Sequence, residues 1–334
     1  MTIKDIARES GYAVSTVSRA LNNHPDVSRE TKDKINEVVA KHKFVPNNNA
    51  RQLKAQSSKS IAIVVKGAFN MFFAAIIEQL QSLIQEDGYT ASVHYVDEEQ
   101  DEVQAAKRIC LEKKPLGLIF LGGNISTFKQ HFCSIELPCV LATTTSKELE
   151  FDNLSCVGID DSKAACEAIS YLLHKGHRNI GVLGGRRELS YISALRYEGC
   201  CDAYKTAGLV FNEDYYQKAN YNYGSAYRAT QKLISRKKDI TAIFAMSDIM
   251  AVGAMRAIHD AKLTVPDDIS VIGFDGIELA DYLTPSLTTI RQPQSDIAKN
   301  SVALLLSHIE KNTPARNIIL PSTLIEGESV ITCH

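Results

Sequence analysis

The side chains with the clearest chemical use in this sequence lie on a short helical stretch near its beginning. In residues 14–21, VSTVSRAL, the apolar side chains fall on or near one face at helical spacing. Ser15 and Arg19 stand four residues apart on another face. Hydroxyl and guanidinium groups carried on a helix can reach base edges in the major groove of DNA. The alternative is an ordinary solvated helix face, so the surrounding elements must decide.

The preceding stretch predicts a partner helix. Thr2 and Asp5 form a Thr-x-x-Asp cap, and apolar Ile3, Ile6 and Ala7 follow at helical spacing. Gly11 then ends the helix, and the second one begins within four residues. Two short helices joined by a tight turn that contains glycine are typical of a helix-turn-helix. Spacing alone also fits a plain helical hairpin.

Charge favours the DNA-binding interpretation. Residues 1–60 contain 11 Lys and Arg against 6 Asp and Glu, whereas residues 61–334 contain 26 against 33. The first 60 residues are thus positively charged and the rest of the chain is negatively charged. This distribution suits binding of DNA phosphates by the N-terminal segment.

Several motifs make the sequence recognisable. They begin with TIKDIA, TVSRALN, VSRET and PNNNARQLK, and continue with FNMFFAAIIEQL, GHRNIGVLGG, SALRYEGCCDAY, FAMSDIMAVGAMRAI and VPDDISVIGFDGIELADYLTPSLTTIRQP. In this order they closely resemble the lactose-repressor/galactose-repressor family of bacterial transcription regulators, over essentially the whole chain. The resemblance implies an α/β fold: a two-lobed, periplasmic-binding-protein-like effector domain with an N-terminal all-α helix-turn-helix head.

The resemblance also assigns roles within the DNA-binding region. It implies that Val14, Ser15 and Arg19 choose the operator, whereas Thr16, Ser18 and Asn22 suit phosphates. We expect the head at 1–46 and a hinge helix or linker at 47–58. In this family a hinge leucine wedges into the minor groove, which here is Leu53, with Asn49 and Arg51 as groove or phosphate contacts. The alternative for the hinge is a plain flexible linker.

Two residues of the head depart from the family pattern. Ala13 stands where the family usually has a serine that caps the recognition helix, and such a cap is worth about 1 kcal/mol. Tyr12 replaces a small aliphatic residue, which leaves the packing of the turn open.

From residue 60 onward, short β-branched runs alternate with longer amphipathic stretches. We predict strands at 61–65, 91–96, 116–121, 139–143, 155–159, 179–184, 241–246 and 270–275. We predict helices at 72–87, 101–113, 162–175, 194–207, 224–237, 248–261 and 295–311. This alternation indicates parallel sheets covered on both faces. With the resemblance, it places the first lobe at about 59–160 and 292–322, and the second at about 161–291 and 323–334, within an effector-binding and dimerisation domain at 59–334.

The resemblance also implies an effector site between the lobes. An arginine and a carboxylate suit vicinal hydroxyl groups through paired hydrogen bonds. The implied contacts are Phe72, Phe73, Arg196, Tyr221, Ser247, Asp248 and Asp275. Asp248 could instead cap the helix that follows it, and Phe73 could belong to the core.

Two further departures bear on the ligand. The family often has an aspartate at the position of Thr143 and an arginine at the position of Gly327. We expect a sugar-like effector that releases the operator. The alternatives are a corepressor-type regulator that responds to a purine or another metabolite and, more distantly, a solute-binding protein, which would need an export signal and no basic head.

Composition excludes other classes. No apolar run is long enough to span a membrane and no signal peptide is present, so we expect a cytoplasmic protein. Eight cysteines without metal-binding spacing are expected to be free buried thiols, and His174 and His177 are expected to belong to a helix end.

No catalytic or nucleotide-binding motif occurs, so we expect no enzyme, no cofactor and no metal. The expected partners are double-stranded operator DNA, a small-molecule effector and a second copy in a homodimer, since no leucine-heptad tail follows the last lobe.

Overall fold

The computed structural model describes residues 2–21, 25–42, 59–67, 70–146 and 148–333. Its contacts divide the chain into two compact units, Met1–Ser58 and Lys59–His334. Each unit is described by itself.

The first unit contains three helices, α1 at Ile3–Ser10, α2 at Val14–Leu21 and α3 at Arg29–Lys41. The Asp5 carboxylate accepts hydrogen bonds from the backbone N–H and the hydroxyl of Thr2, both at 2.9 Å, so the predicted cap of α1 is confirmed. Gly11 ends α1 with a φ of 75°, in the left-handed region that glycine adopts without strain. The Ser28 hydroxyl caps α3 by accepting the Thr31 N–H.

The three helices meet in a small apolar core. Ile6 of α1, Val17 of α2 and Ile35 of α3 are fully buried, and Val27 joins them from the turn between α2 and α3. Tyr12 packs partly buried against this cluster, so the turn accepts a large aromatic ring. The packing fixes which face of α2 points away from the core.

The second unit alternates strands with helices. Its strands are β1 Ser60–Lys66, β2 Thr90–Val96, β3 Gly117–Leu121, β4 Cys139–Ala142, β5 Leu154–Ile159, β6 Ile180–Gly184, β7 Tyr216–Lys218, β8 Ala242–Ala245, β9 Ser270–Asp275, β10 Thr288–Arg291, β11 Asn317–Leu320 and β12 Thr323–Ile325. Its α-helices are α4 Met71–Glu86, α5 Glu102–Lys113, α6 Ile125–His131, α7 Asp161–His174, α8 Tyr191–Thr206, α9 Tyr223–Arg236, α10 Asp248–Asp260 and α11 Gln294–Lys311. Short 3₁₀ turns lie at Phe132–Ser134, Glu213–Tyr215 and Glu278–Tyr282.

The strands form two six-stranded sheets. The first has the order β11-β5-β4-β3-β1-β2 and is parallel throughout. The second has the order β12-β10-β9-β8-β6-β7, and only β12 within it runs antiparallel. The predicted fold class is therefore confirmed. The chain passes between the sheets in the connections β5 to β6, β10 to β11 and β11 to β12, and the exact lobe boundaries stay predictions.

Apolar side chains cover both faces of the first sheet. Ile61 and Ile63 of β1 join one core cluster, whereas Ala62 and Val64 of the same strand join another on the opposite face. The first cluster also takes in Ile249 and Ile277, which come from elements of the second lobe. The two lobes therefore share apolar contact.

The cysteine prediction was wrong in part. The eight thiols are free, but only Cys139, Cys156 and Cys200 are buried, and Cys133 is exposed on the 3₁₀ turn after α6. His177 is buried between the Thr241 hydroxyl and the Ile331 carbonyl, at 3.0 Å from each. Both contacts are structural.

Candidate DNA-binding and effector sites

The outward face of α2 presents the predicted reading residues. Val14 is 41% exposed, and Ser15 and Arg19 are exposed beside it, whereas Thr16 and Ser18 are half-buried. The expectation that Val14 shares the apolar face with Val17 was wrong, because α2 turns Val17 into the head core and leaves Val14 in solvent. Within the part of the head that the structure describes, Arg19 makes no ion pair. Its guanidinium is thus available to an external acceptor.

The start of α2 lacks a side-chain cap. The Val17 N–H donates to the Ala13 carbonyl at 3.0 Å, which makes Ala13 the capping position, and alanine has no oxygen for the next free N–H groups. The end of α3 is held by Glu9 of α1, whose carboxylate contacts Lys41 at 2.8 Å and His42 at 2.7 Å.

The remaining predicted DNA contacts lie outside the described residues. They are Asn22, Asn49, Arg51 and Leu53.

Arg196 is the centre of the candidate effector site. It lies on α8 and is 4% exposed, with its Nε and Nη2 both 2.9 Å from Asp161 Oδ1. Its Nη1 donates to the Met246 carbonyl and lies 4.0 Å from Asp275 Oδ1. The guanidinium carbon stands 3.6 Å from the centre of the Phe274 ring. These contacts hold a buried cation in one orientation.

Asp275 ends β9 beside that cation. Its backbone φ of 115° lies in the region that L-residues rarely adopt, and such strain concentrates at functional sites. The carboxylate accepts a hydrogen bond of 2.9 Å from the Gln292 side-chain amide. Burial raises the pKa of Asp275 well above its usual range, and the Arg196 charge opposes that shift. Gln292 itself is 3% exposed, and no donor among the described residues reaches its Oε1.

Ser247 and Asp248 are engaged within the second lobe. The Ser247 hydroxyl caps α10 by accepting the Met250 N–H at 3.2 Å. Asp248 is fully buried and accepts the Ile277 N–H at 2.8 Å and the Thr289 hydroxyl at 2.6 Å. Each carboxylate oxygen thus already accepts one hydrogen bond inside the lobe, and the role of Asp248 as an effector contact stays a prediction. The alternative that Asp248 caps the helix was wrong, because Ser247 does so.

The aromatic candidates separate into two kinds. Phe72 is 2% exposed and belongs to the first-lobe core with residues of β1, and its effector contact stays a prediction. Phe73 is half-buried, and a Cβ on Gly122 would lie 3.1 Å from its ring. Tyr221 is half-buried in the second lobe and its hydroxyl lies 3.0 Å from the Ser193 hydroxyl. Rings from both lobes thus remain as candidates.

The two departures have local structural reasons. Thr143 adopts a φ of 71°, and its hydroxyl accepts the Gly122 N–H at 3.3 Å. A Cβ at Gly327 would lie 2.6 Å from the Ser286 carbonyl oxygen, so no arginine could stand there without moving the backbone.

Sequence reasoning missed Asp161 and Gln292. Asp161 follows the end of β5 and Gln292 follows the end of β10. Side chains at the carboxyl ends of parallel strands reach a ligand cleft, so this position could have indicated both residues.

Among the residues described, no group of histidine, cysteine or acidic side chains could hold a metal ion. No helix in the described ranges combines the length and apolar character needed to cross a bilayer.

Comparison with known proteins gives the family. Residues 2–47 match the family described as bacterial regulatory proteins, lacI family, and residues 169–330 match the periplasmic binding protein-like domain. The HTH-type transcriptional regulator MalR of Clostridium butyricum is 40% identical over 98% of this chain and 99% of its own length.

Two solved structures share the fold. A CelR–cellobiose complex has a TM-score of 0.73 at 23% identity, covering 98% of this chain and 99% of that one. The lac repressor dimer bound to operator and the anti-inducer ONPF has a TM-score of 0.74 at 23% identity, covering 99% of each. The chain is a DNA-binding transcriptional regulator and not an enzyme. It belongs to the lacI family of bacterial regulatory proteins.

Proposed function

We propose that this regulator is a dimeric, cytoplasmic repressor that leaves its operator when a sugar binds between the two lobes of residues 59–334. In the head, Val14, Ser15 and Arg19 read base edges, while Thr16, Ser18 and Asn22 contact phosphates. Leu53 wedges between base pairs, with Asn49 and Arg51 beside it.

The observation that carries the sugar assignment is the unpartnered Oε1 of Gln292. A buried acceptor without a donor costs about 1–3 kcal/mol, so a ligand that supplies a hydroxyl group recovers that free energy. The neighbouring Asp275 carboxylate offers a second acceptor, and the Arg196 guanidinium offers donors 4.0 Å away. Closely spaced acceptors and donors suit a molecule with adjacent hydroxyl groups.

Aromatic side chains complete the site. Phe73 of the first lobe and Tyr221 of the second are half-buried, so each keeps ring surface for a ligand. The C–H face of a sugar ring packs on such surface while its hydroxyl groups point to the polar side chains. Among solved structures of this fold, the CelR complex contains cellobiose, which is consistent with a saccharide effector.

The test uses full-length protein and duplex operators selected by the protein from a random pool. Operator affinity is measured by fluorescence anisotropy at fixed salt, because phosphate contacts make affinity depend on ionic strength. We expect at least one of glucose, galactose, ribose, cellobiose and maltose to weaken operator binding. Gln292→Leu should abolish that response and keep sugar-free operator affinity, whereas Gln231→Leu, on the exposed face of α9, should change neither. A sugar that tightened operator binding would favour a corepressor, and a response unchanged in Gln292→Leu would remove the proposed site.

A further inference from the structure

Four loops meet where the two lobes touch. The loops after the neighbouring strands β1 and β3 belong to the first lobe, and those after the neighbouring strands β6 and β7 belong to the second. The Tyr223 hydroxyl lies 3.3 Å from the Met71 sulfur, and the Asn124 side-chain amide donates to the Leu189 carbonyl at 3.0 Å. These two contacts cross from lobe to lobe and outline the mouth of the cleft.

Three side chains on the loops that make these contacts are apolar and exposed. Met71 and Tyr223 are each 41% exposed, and Leu189 is 61% exposed. We call these three residues the rim. Water-exposed apolar side chains gathered at one opening indicate a surface that another molecule covers. Tyr223 stands two residues after Tyr221 of the candidate effector site, which suggests that the same ligand covers the rim.

The rim residues lie next to residues of the polar site along the chain. Tyr221, whose hydroxyl contacts Ser193, stands two residues before Tyr223. Ser193 is held by the Ser190 hydroxyl at the start of α8, and Arg196 follows on the same helix. The polar groups of Arg196 and Asp275 are buried, whereas the rim side chains are exposed. The cleft therefore has a buried polar zone and an exposed apolar zone.

We propose that the effector is an oligosaccharide of at least two sugar units, an inference that rests on the sugar response proposed above. One unit binds to Arg196, Asp275 and Gln292 in the buried zone. The next unit stacks its C–H face on the Tyr223 ring, with Met71 and Leu189 at its edges. A single sugar unit would fill the polar zone and leave the rim in water.

The experiment is isothermal titration of full-length protein with two sets of sugars. The first set is cellobiose, maltose, lactose and sucrose, and the second is glucose, galactose, fructose and ribose. We expect at least one disaccharide to bind about tenfold more tightly than either of its component monosaccharides, as the additional aromatic contact implies.

Variants of Tyr223 separate stacking from a structural role. Tyr223→Ala should weaken the disaccharide about tenfold while monosaccharide affinity stays within about twofold. Tyr223→Phe keeps the ring and loses only the weak contact of the hydroxyl with the Met71 sulfur, so it should bind the disaccharide within about twofold of the wild type. Thermal unfolding and sedimentation of the unliganded variants check that fold and oligomeric state are kept.

Three outcomes overturn the inference. Monosaccharides that bind as tightly as the disaccharides would show that the rim is not used, and the proposed sugar response would stand. A Tyr223→Ala variant that weakens both sets equally, or changes the oligomeric state instead, would assign the residue a structural role. If no sugar of either set binds, the sugar response itself is wrong and the inference fails with it.

Discussion

At the scale of single residues, one buried guanidinium shares its surroundings with three buried carboxylates. Asp161 takes the shortest contacts of Arg196, at 2.9 Å, and Asp275 lies at 4.0 Å. Asp248 is satisfied by a backbone N–H and a hydroxyl instead of a cation. One cation cannot neutralise three anions in a dry interior. Protonating one of the carboxylates therefore costs less free energy than keeping all three charged.

Asp248 predicts a measurable dependence of stability on pH. Burial raises its pKa from 3.8 to about 7, so the folded protein binds a proton there that the unfolded chain releases near pH 4. The stabilisation is complete below the unfolded pKa and is lost as pH rises through about 7. Between pH 5 and pH 8, the free energy of unfolding of the wild type should fall as this proton is released. We expect the fall to be smaller in Asp248→Asn, by at most about 1.4 kcal/mol per pH unit.

Urea unfolding at several pH values measures this effect. The difference between wild type and Asp248→Asn reports this carboxyl together with its effect on Asp275, because the Asp248 charge raises the pKa of Asp275. The pKa of His177, which both proteins share, is lowered by burial, and its contribution has the opposite sign. Equal pH slopes for the two proteins would show that Asp248 is ionised in the folded state.

At the scale of secondary structure, the recognition helix α2 has an exposed face that reads DNA and an N-terminus with alanine at the capping position. Its eight residues bury only Val17 and Ala20. A helix this short depends on tertiary contacts and caps, because nucleation is unfavourable in water. The other two head helices have side-chain caps from Thr2–Asp5 and Ser28. Helix α2 is therefore the part of the head most easily strengthened.

A cap placed at residue 13 should stabilise the head. Ala13 is exposed, so a larger side chain fits there. Ala13→Thr supplies a hydroxyl to the free N–H groups at the start of α2, whereas Ala13→Val has almost the same shape without it. We expect the threonine variant to exceed the valine variant by about 1 kcal/mol in head stability. Hydrogen exchange of the Val17 amide measures the difference, and equal protection in both variants would contradict it.

At the scale of the whole molecule, the sequence predicted the long elements well and the short ones poorly. Buried strands such as β1 and β3 are continuous apolar runs, which is why they could be located. Strand β7 has three residues and helix α6 has seven, too few to produce a period. Both were missed.

The candidate site was predictable only where the family motif named a residue. Arg196 and Asp275 stand within quoted motifs, and the structure brings them to 4.0 Å. Which of two adjacent phenylalanines faces the core depends on the phase of α4, and the motif does not show that Phe72 is the buried one. Gln292 stands in the same motif as Asp275, 17 residues further along the chain, but the motif does not show that the two side chains pair. Long-range pairing of this kind is not visible in local spacing.

The contact between lobes supplies a last prediction, on how the molecule responds as a unit. The Asn124 side chain does two things: its Oδ1 accepts the Ser126 N–H and caps α6, and its Nδ2 donates to the Leu189 carbonyl of the other lobe. Asn124→Ser keeps a capping hydroxyl but is too short to reach Leu189. The matched control is Asn222→Ser, because Asn222 caps α9 through Ser225 in the same way.

A ligand shifts an equilibrium only through its different affinity for the two states. Destabilising the state in which Asn124 contacts Leu189 must therefore lower the affinity for a sugar that bridges the lobes. One hydrogen bond contributes about 0.5–1.5 kcal/mol, which corresponds to a factor of about 2 to 12 in affinity. We expect Asn124→Ser to move the midpoint of sugar-induced operator release to higher sugar concentration by about that factor. Operator affinity without sugar should be unchanged, and Asn222→Ser should release like the wild type. By reciprocity, operator DNA should weaken sugar binding by the same factor by which sugar weakens operator binding in each protein. Equal midpoints for Asn124→Ser and Asn222→Ser would mean that this contact does not distinguish the two states.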